Sequence, residues 1–354
     1  MVDASKRTSD DVDDVAVCVD DGVKIEDALR DERLLDAYRT FSSSASTCDD
    51  RWGLAETGSA AERWMCALKE NPTGWTRQKS IVQTLSASSL SSLTSSVFST
   101  VRADSTGSDA SSTAGKSGER TRIYYRCDSK RTLSVRVETV IARDMLVPLL
   151  SVLNESELYS SWLPKWTSPT RLGVRESVKV AQVGRCSQLV IITCDAPWPL
   201  ETRQVVLDAV AFDDMDANGD IGVLLRTRDC DTDTRVPPKP SDEEITRIEV
   251  DGAFLFRRVP SEWAKDVGGE VTSVAQDDIL VSFGFTVDPK LDYIPTWLLN
   301  FIVRTVIGTL WGAFIRVAEE VRDGLRPAHA EVITKKREHL YEWVEQRASC
   351  MFAI

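Results

Sequence analysis

From Asp278 to Asp288 the chain alternates strictly. Ile279, Val281, Phe283, Phe285 and Val287 fall on one side, and Leu280, Ser282, Gly284 and Thr286 on the other. A period of two predicts a strand. With no charge on either face, the strand belongs in the middle of a sheet, where Gly284 allows a bend or the close approach of a helix. Past Asp288-Pro289 the pattern changes. The 24 residues from Ile294 to Val317 are apolar almost all round and carry charge only at Arg304 and Arg316. Following Pro295, they predict a long helix running to about Val321. Asn300, Arg304, Gly308 and Gly312 recur at steps of four and form one narrow, less apolar stripe. A helix of this kind has to be covered on nearly every side.

The remaining patterns predict strands at 123–127 and 133–140, paired as a hairpin around Asp128–Arg131, and further strands at 174–183, 188–194, 205–212, 221–227, 246–250 and 253–259. Two short helices are expected at 142–153 and 155–161. Earlier in the chain, 23–41 and 54–69 read as amphipathic helices, the second ended by Asn71-Pro-Thr-Gly74. Pro327 opens a final charged helix to about Arg347. Strands in succession, bracketed by helices, indicate an α+β fold with an antiparallel sheet rather than alternating βαβ units. No internal repeat is present. The expected organisation is an acidic, largely disordered N-terminal region with a short helix over 1–51, a main domain over 52–322, and a charged helix within 323–354. Inside the main domain lies a Ser/Thr-rich insertion at 84–118, in which 18 of the 34 residues from Thr84 to Ser117 are Ser or Thr.

The net charge of −12 argues against nucleic acid as a partner. The first 50 residues hold 14 acids and 6 bases, so the excess is concentrated there, and this region is a candidate surface for a protein partner. Eight cysteines with no CxxC spacing point to reduced thiols and a cytoplasmic setting. The acidic start carries neither a signal peptide nor a presequence pattern. Only two histidines occur, His329 and His339, which argues against a histidine-based catalytic centre or metal site, and no cofactor is implied. Asp214–Asp220 matches the first half of a calcium loop, but Leu225 occupies the position that requires Glu, and a polar hairpin turn is expected instead. The apolar run is long enough to span a bilayer, yet Arg304 near its middle would cost about 2.5–3.5 kcal/mol there. The reading preferred here is that the helix closes a cavity for an apolar ligand.

Candidate site residues follow from that reading. On the 133–140 strand, Arg136 and Glu138 share a face and form either a buried pair orienting a polar ligand head or part of a solvated strand surface. The loop Ala196–Arg203 places Trp198 between two prolines, ahead of Arg203. Phe283 and Phe285 of the last strand and Trp297, Leu298, Phe301, Ile302 and Thr305 of the helix complete the expected lining. An enzyme reading would need an acid or base inside the cavity, for which Tyr125, Glu138 and Asp208 are the candidates; the expectation is a protein that is not an enzyme.

Several landmarks stand in a familiar order: Trp75; Ile123-Tyr-Tyr-Arg126; Trp162-Leu-Pro164; Pro197-Trp-Pro-Leu200 with Arg203; and Asp288-Pro289 through Ile294-Pro-Thr-Trp-Leu298. In this order the chain, over about residues 54–322, resembles the START family of steroidogenic acute regulatory protein-related lipid-transfer domains. The insertion at 84–118 departs from the family pattern, as does Glu201-Thr-Arg-Gln204 where the family often has Arg-Asp. The resemblance implies a helix-grip fold, a curved antiparallel sheet wrapped around a long C-terminal helix, with a lipid-sized tunnel between them. It also implies a sterol, phospholipid or sphingolipid ligand, transient membrane contact, no reaction catalysed, and a gate formed by the 197–203 loop and the helix from Pro295.

Overall fold

The computed structural model describes residues 21–44, 50–51, 53–78, 121–166, 171–196, 200–229, 231, 233–239, 244–261, 263, 277–294 and 296–352. The acidic tail before residue 21, the Ser/Thr-rich stretch and Trp198 lie outside the described residues.

The strands are β1 (Thr76–Arg77), β2 (Thr121–Cys127), β3 (Leu133–Ile141), β4 (Lys165–Trp166), β5 (Leu172–Gln182), β6 (Ser187–Asp195), β7 (Thr202–Asp214), β8 (Asp220–Thr227), β9 (Ile245–Arg247), β10 (Glu249–Arg258) and β11 (Ile279–Asp288). They form one open sheet in the order β1-β2-β3-β11-β10-β8-β7-β6-β5-β4, antiparallel along this path, with β9 lying parallel beside β7. The 123–127 and 133–140 segments pair as the expected hairpin. The alternating segment from 279 to 288 is central, flanked by β3 and β10. Register shifts between Val174 and Glu176 and between Lys179 and Ala181 mark bulges, which bend β5 against β6.

Both faces of the central strands are covered. On the outer face lie a helix at residues 21–30 (α1), α2 (Leu34–Ser43) and α3 (Leu54–Lys69). Leu34, Leu35, Leu54 and Leu68 join Phe212, Leu224 and Leu255 in one buried cluster there. Gly284 admits α3 closely: a Cβ on it would sit 2.8 Å from Leu68 Cδ2 and 3.0 Å from the Trp64 ring. The glycine therefore makes room for α3 rather than for the C-terminal helix.

On the inner face lie α4 (Leu146–Asn154), the short α5 (Tyr159–Trp162) and the long helix α7, which follows the helical turn α6 (Met215–Asn218). α7 is one continuous helix in three parts: Thr296–Phe301, a π-helical turn at Ile302–Val306, and Ile307–Arg322. Then α8 (Pro327–Lys335), a second π turn (Arg337–Tyr341) and α9 (Glu342–Cys350) finish the chain. This is a helix-grip arrangement, α+β, with a curved sheet holding the C-terminal helix against its inner face. Among the described residues no helix is long and apolar enough to cross a membrane.

The turn between β7 and β8 is the polar hairpin turn expected, closed by the pairing of Asp214 with Asp220. Asp213, Asp214 and Asp220 are all buried. Each is paired with a cation from a different helix: Asp213 with Arg347 of α9, Asp214 with Arg39 of α2 at 3.1 Å, and Asp220 with Lys69 of α3 at 2.5 Å. An acidic run that reads as surface is thus a junction fastening three helices to one end of the sheet.

Candidate ligand cavity

The register of the sheet carries one row of side chains across five strands. Val137 of β3 pairs with Phe283 of β11, Phe283 with Phe254 of β10, Phe254 with Val223 of β8, and Val223 with Ala211 of β7. Side chains directly opposite one another in an antiparallel ladder share a face. All five point inward and line a cavity of about 420 Å³. The next row adds Phe285, Leu225, Ala209 and Gln188. The roof is the C-terminal part of α7, through Ile307, Leu310, Trp311 and Phe314. Leu150 and Leu153 of α4 and Tyr159, Trp162 and Leu163 at α5 close one side.

Aromatic rings hold roof and floor in register. Phe254 and Phe283 stack with centroids 4.0 Å apart, and Trp311 lies 6.2 Å from Phe283 at an interplanar angle of 5°. The Trp311 Nε1–H donates to Thr139 Oγ1 on β3 at 2.6 Å, so the indole's polar atom is satisfied while its ring faces the hollow. Trp162 leans on Phe314 from the opposite side at 6.3 Å. The lining is mostly apolar; its polar groups are Glu32, Asn154, Gln188, Asp213, Tyr341 and Arg347, together with Cys186, the Tyr159 hydroxyl, which donates to the Leu153 carbonyl at 2.5 Å, and the Trp162 indole N–H, which has no partner among the described residues. The first six, at one end, are joined by their own contacts. Asp213 N–H donates to the Glu32 carbonyl at 2.8 Å, the Gln188 amide donates to the Asn154 carbonyl at 2.8 Å, and the Tyr341 hydroxyl donates to Glu155 at 2.6 Å.

The expected site residues divide sharply. Phe283 and Phe285 line the cavity. Arg136 and Glu138 do not, because they project from the opposite face of β3. Arg136 is buried there and donates to the Ala67, Leu68 and Glu70 carbonyls at 2.9, 2.7 and 2.8 Å, capping the C-terminal end of α3. Its Nε and Nη2 hold Glu138 Oε1 at 2.9 and 2.5 Å, and Trp263 Nε1 donates to Glu138 Oε2 at 3.2 Å. The pair is buried, as one of the two readings had it, but it serves helix packing instead of a ligand head.

The α7 candidates are displaced for a different reason. Leu298 is buried and Phe301 and Ile302 are partly buried, but none of them lines the cavity, and Thr305 is exposed. A regular helix would carry the 298–301–302–305 face on through 309, 312 and 316, and those three positions face solvent. The π turn at 302–306 inserts an extra residue and rotates the following turns, so Val303, Ile307, Trp311 and Ala318 face inward instead. Arg203 is half-buried at the start of β7 and bonds the Glu201 carbonyl at 2.9 Å, away from the lining. Trp198 and the Trp297 side chain lie outside the described residues. Of the residues that an enzyme reading would need, Glu138 and Asp208 are on the outer face, Asp208 paired with Arg228 at 2.8 Å, and Tyr125 does not line the cavity. Among the described residues no group of His, Cys, Asp and Glu is arranged to hold a metal ion.

One contribution was not anticipated. α9 and the π turn before it close the polar end of the cavity with Leu340, Tyr341, Trp343, Val344 and Arg347. Leu340, Val344 and Ala348 recur at steps of four in a charged background, the signal of a buried stripe. The segment is tied down at two places, by Arg347 on Asp213 and by Lys336 on Glu155 at 2.6 Å.

No family model matches the sequence, and no curated protein matches it. Among solved structures the chain is similar to human STARD10, with 13% sequence identity and a TM-score of 0.47 over 83% of this chain and 88% of that one. It is similar to human StAR-related lipid transfer protein 5, with 11% identity and a TM-score of 0.47 over 75% of this chain and 97% of that one. A STAR-related lipid transfer protein from Xanthomonas axonopodis is similar at 20% identity and a TM-score of 0.39, over 60% of this chain and 96% of that one. Two of the three carry the name of a StAR-related lipid transfer protein.

Proposed function

We propose that this protein binds an apolar lipid in the cavity between the sheet and α7, and carries it between membranes or senses it, without catalysing a reaction on it. The observation that carries this reading is the hollow itself: about 420 Å³ floored by two rows of inward-facing, mostly apolar side chains and roofed by α7, whose Trp311 ring stacks over Phe283. A packed core leaves few voids larger than a water molecule. A cavity of several hundred Å³ with an apolar wall and a few convergent polar groups is the usual form of a small-molecule site. The names of the similar solved structures point the same way.

The energetics favour carriage. A lipid leaving a bilayer exposes its chains to water at about 0.8 kcal/mol per methylene. Ten methylenes would cost about 8 kcal/mol, which a dry apolar cavity offsets. The protein would act from the aqueous phase by transient membrane contact, with Trp198 and Trp297 as residues suited to the headgroup region. The lining itself supplies the test. Ala211→Trp projects an indole from the central row into the hollow. Extraction of a fluorescent lipid from donor vesicles should fall by at least about tenfold while the fold is retained by circular dichroism. Undiminished extraction by a folded Ala211→Trp protein would show that the lipid is held elsewhere.

A further inference from the structure

Among the described residues, the polar end of the cavity contains cations only in spent form. Among the described lining residues Arg347 is the single cation, and its guanidinium is held between Asp213 and Asp216, the latter at 2.9 Å. Lys336 does not reach the lining and is taken by Glu155. Arg185 is exposed and its guanidinium lies over the Trp343 ring, 4.7 Å from the centroid. Against these stand the carboxylates of Glu32 and Asp213, both in the lining. Asp213 has Arg347 and the Met215 N–H at 2.9 Å. Glu32 has the backbone N–H of Arg185 at 2.9 Å. Burial raises the Glu32 carboxyl above its ordinary range, and the Arg185 and Cys186 N–H groups and the Arg185 charge offset this only in part. Glu32 stands at φ 60° as the left-handed residue that ends α1, with the Glu32 and Arg33 N–H groups on the Leu29 and Ala28 carbonyls at 3.1 and 2.8 Å. The Glu32 carbonyl accepts the Asp213 N–H at 2.8 Å, which joins this helix end to β7.

We infer that this end of the cavity receives a polar group that donates hydrogen bonds and carries no negative charge, so that the bound lipid is an alcohol-type lipid and not one bearing phosphate or sulfate. The inference rests on the lipid-binding reading and refines it. A hydroxyl can donate to the Glu32 carboxylate or to the Gln188 and Asn154 amide oxygens. A phosphate there would be desolvated beside two carboxylates, with the one lining guanidinium already paired. Groups that recognise phosphate normally offer unpaired arginine, lysine or a cluster of free N–H donors; among the described lining residues the one cation is paired, and the buried side-chain N–H without a partner is the lone indole of Trp162, by Phe314.

Matched lipid pairs separate the two cases. The full chain is incubated with vesicles containing equal amounts of diacylglycerol and phosphatidic acid of the same acyl chains, and separately with cholesterol and cholesterol sulfate. Protein is then separated from vesicles and its bound lipid measured by mass spectrometry. The hydroxyl member should be loaded at least about tenfold over its anionic partner in whichever pair is taken up. Equal or preferential loading of the anionic member overturns the headgroup assignment while leaving the lipid-binding reading intact. Loading of neither pair overturns both. Glu32→Gln, checked for folding by circular dichroism, should lower the ratio of hydroxyl to anionic member loaded by at least about fivefold, since the charge that repels the anion and accepts from the hydroxyl is removed. An unchanged ratio removes Glu32 from the assignment.

Discussion

The face on which Arg136 and Glu138 lie has a measurable consequence. Arg136→Met keeps the apolar stem and removes the guanidinium. Five hydrogen bonds go with it: two to Glu138 and one each to the Ala67, Leu68 and Glu70 carbonyls. Glu138, whose side chain is 4% exposed, is left with the Trp263 indole N–H at 3.2 Å as its remaining hydrogen bond. Removing one partner of a buried ion pair costs about 3–5 kcal/mol, because the other charge stays desolvated. That is a large share of the roughly 5–15 kcal/mol that separates a folded domain from its unfolded chain. It should lower the melting temperature on the order of 10 °C. Urea unfolding followed by tryptophan fluorescence gives the free energy directly. The double variant Arg136→Met/Glu138→Leu should recover most of the loss, since no uncompensated charge remains. Lipid loading per folded molecule should stay unchanged in both. A single variant within about 1 kcal/mol of the parent would refute the helix-capping role. Selective loss of lipid binding in a stable Arg136→Met protein would return the pair to the ligand.

Gly252 faces the backbone of β11, where an added Cβ would lie 2.6 Å from the Gly284 carbonyl oxygen and 2.7 Å from Phe285 Cβ; Gly252→Ala should destabilise by about 1–3 kcal/mol, and a neutral result in chemical denaturation would show that the strands can part there. His329 is 1% exposed with no hydrogen-bond partner on either ring nitrogen, and burial, aided by Arg326 and opposed by Glu155, lowers its pKa. The unfolded chain therefore takes up this proton near pH 6.5 while the native protein resists it, so stability falls as the pH drops from 7 toward 5, with a slope approaching about 1.4 kcal/mol per unit. His329→Leu should flatten that slope, and an identical pH profile would contradict the assignment. Arg347→Ala leaves Asp213 buried without its cation and frees α9, so proteolysis after residue 323 should accelerate before the sheet unfolds; equal cleavage rates would argue that the contact does not hold the segment.

The sequence announced most of the sheet and the long helix because their periods are uninterrupted. The alternation through Phe283 and Phe285 fixed both the strand and the face that meets the cavity. The same alternation placed Arg136 and Glu138 on one side of β3 without saying which side. Both faces of this sheet are covered, so two buried charges are compatible with either, and only the position of α3 decides between them. On α7 the lining residues, Ile307 to Phe314, lie two to three turns beyond the expected Leu298–Thr305 face, and the π turn between them, which leaves no mark in an apolar run, rotates every later side chain. The contribution of α9 was legible in Leu340, Val344 and Ala348 but was outweighed by its many charges. In the turn from Asp213 to Asp220, composition spoke for solvent. The cations that bury it come from residues 39, 69 and 347, too distant in sequence for any local pattern to connect them.

Native mass spectrometry of freshly purified protein, followed by solvent extraction of whatever it carries, bears most directly on the hollow between the sheet and α7. A bound molecule of lipid mass, released by organic solvent and taken up again from vesicles, is the predicted result. Bare polypeptide mass from every preparation, with no uptake from vesicles of any composition, would contradict it.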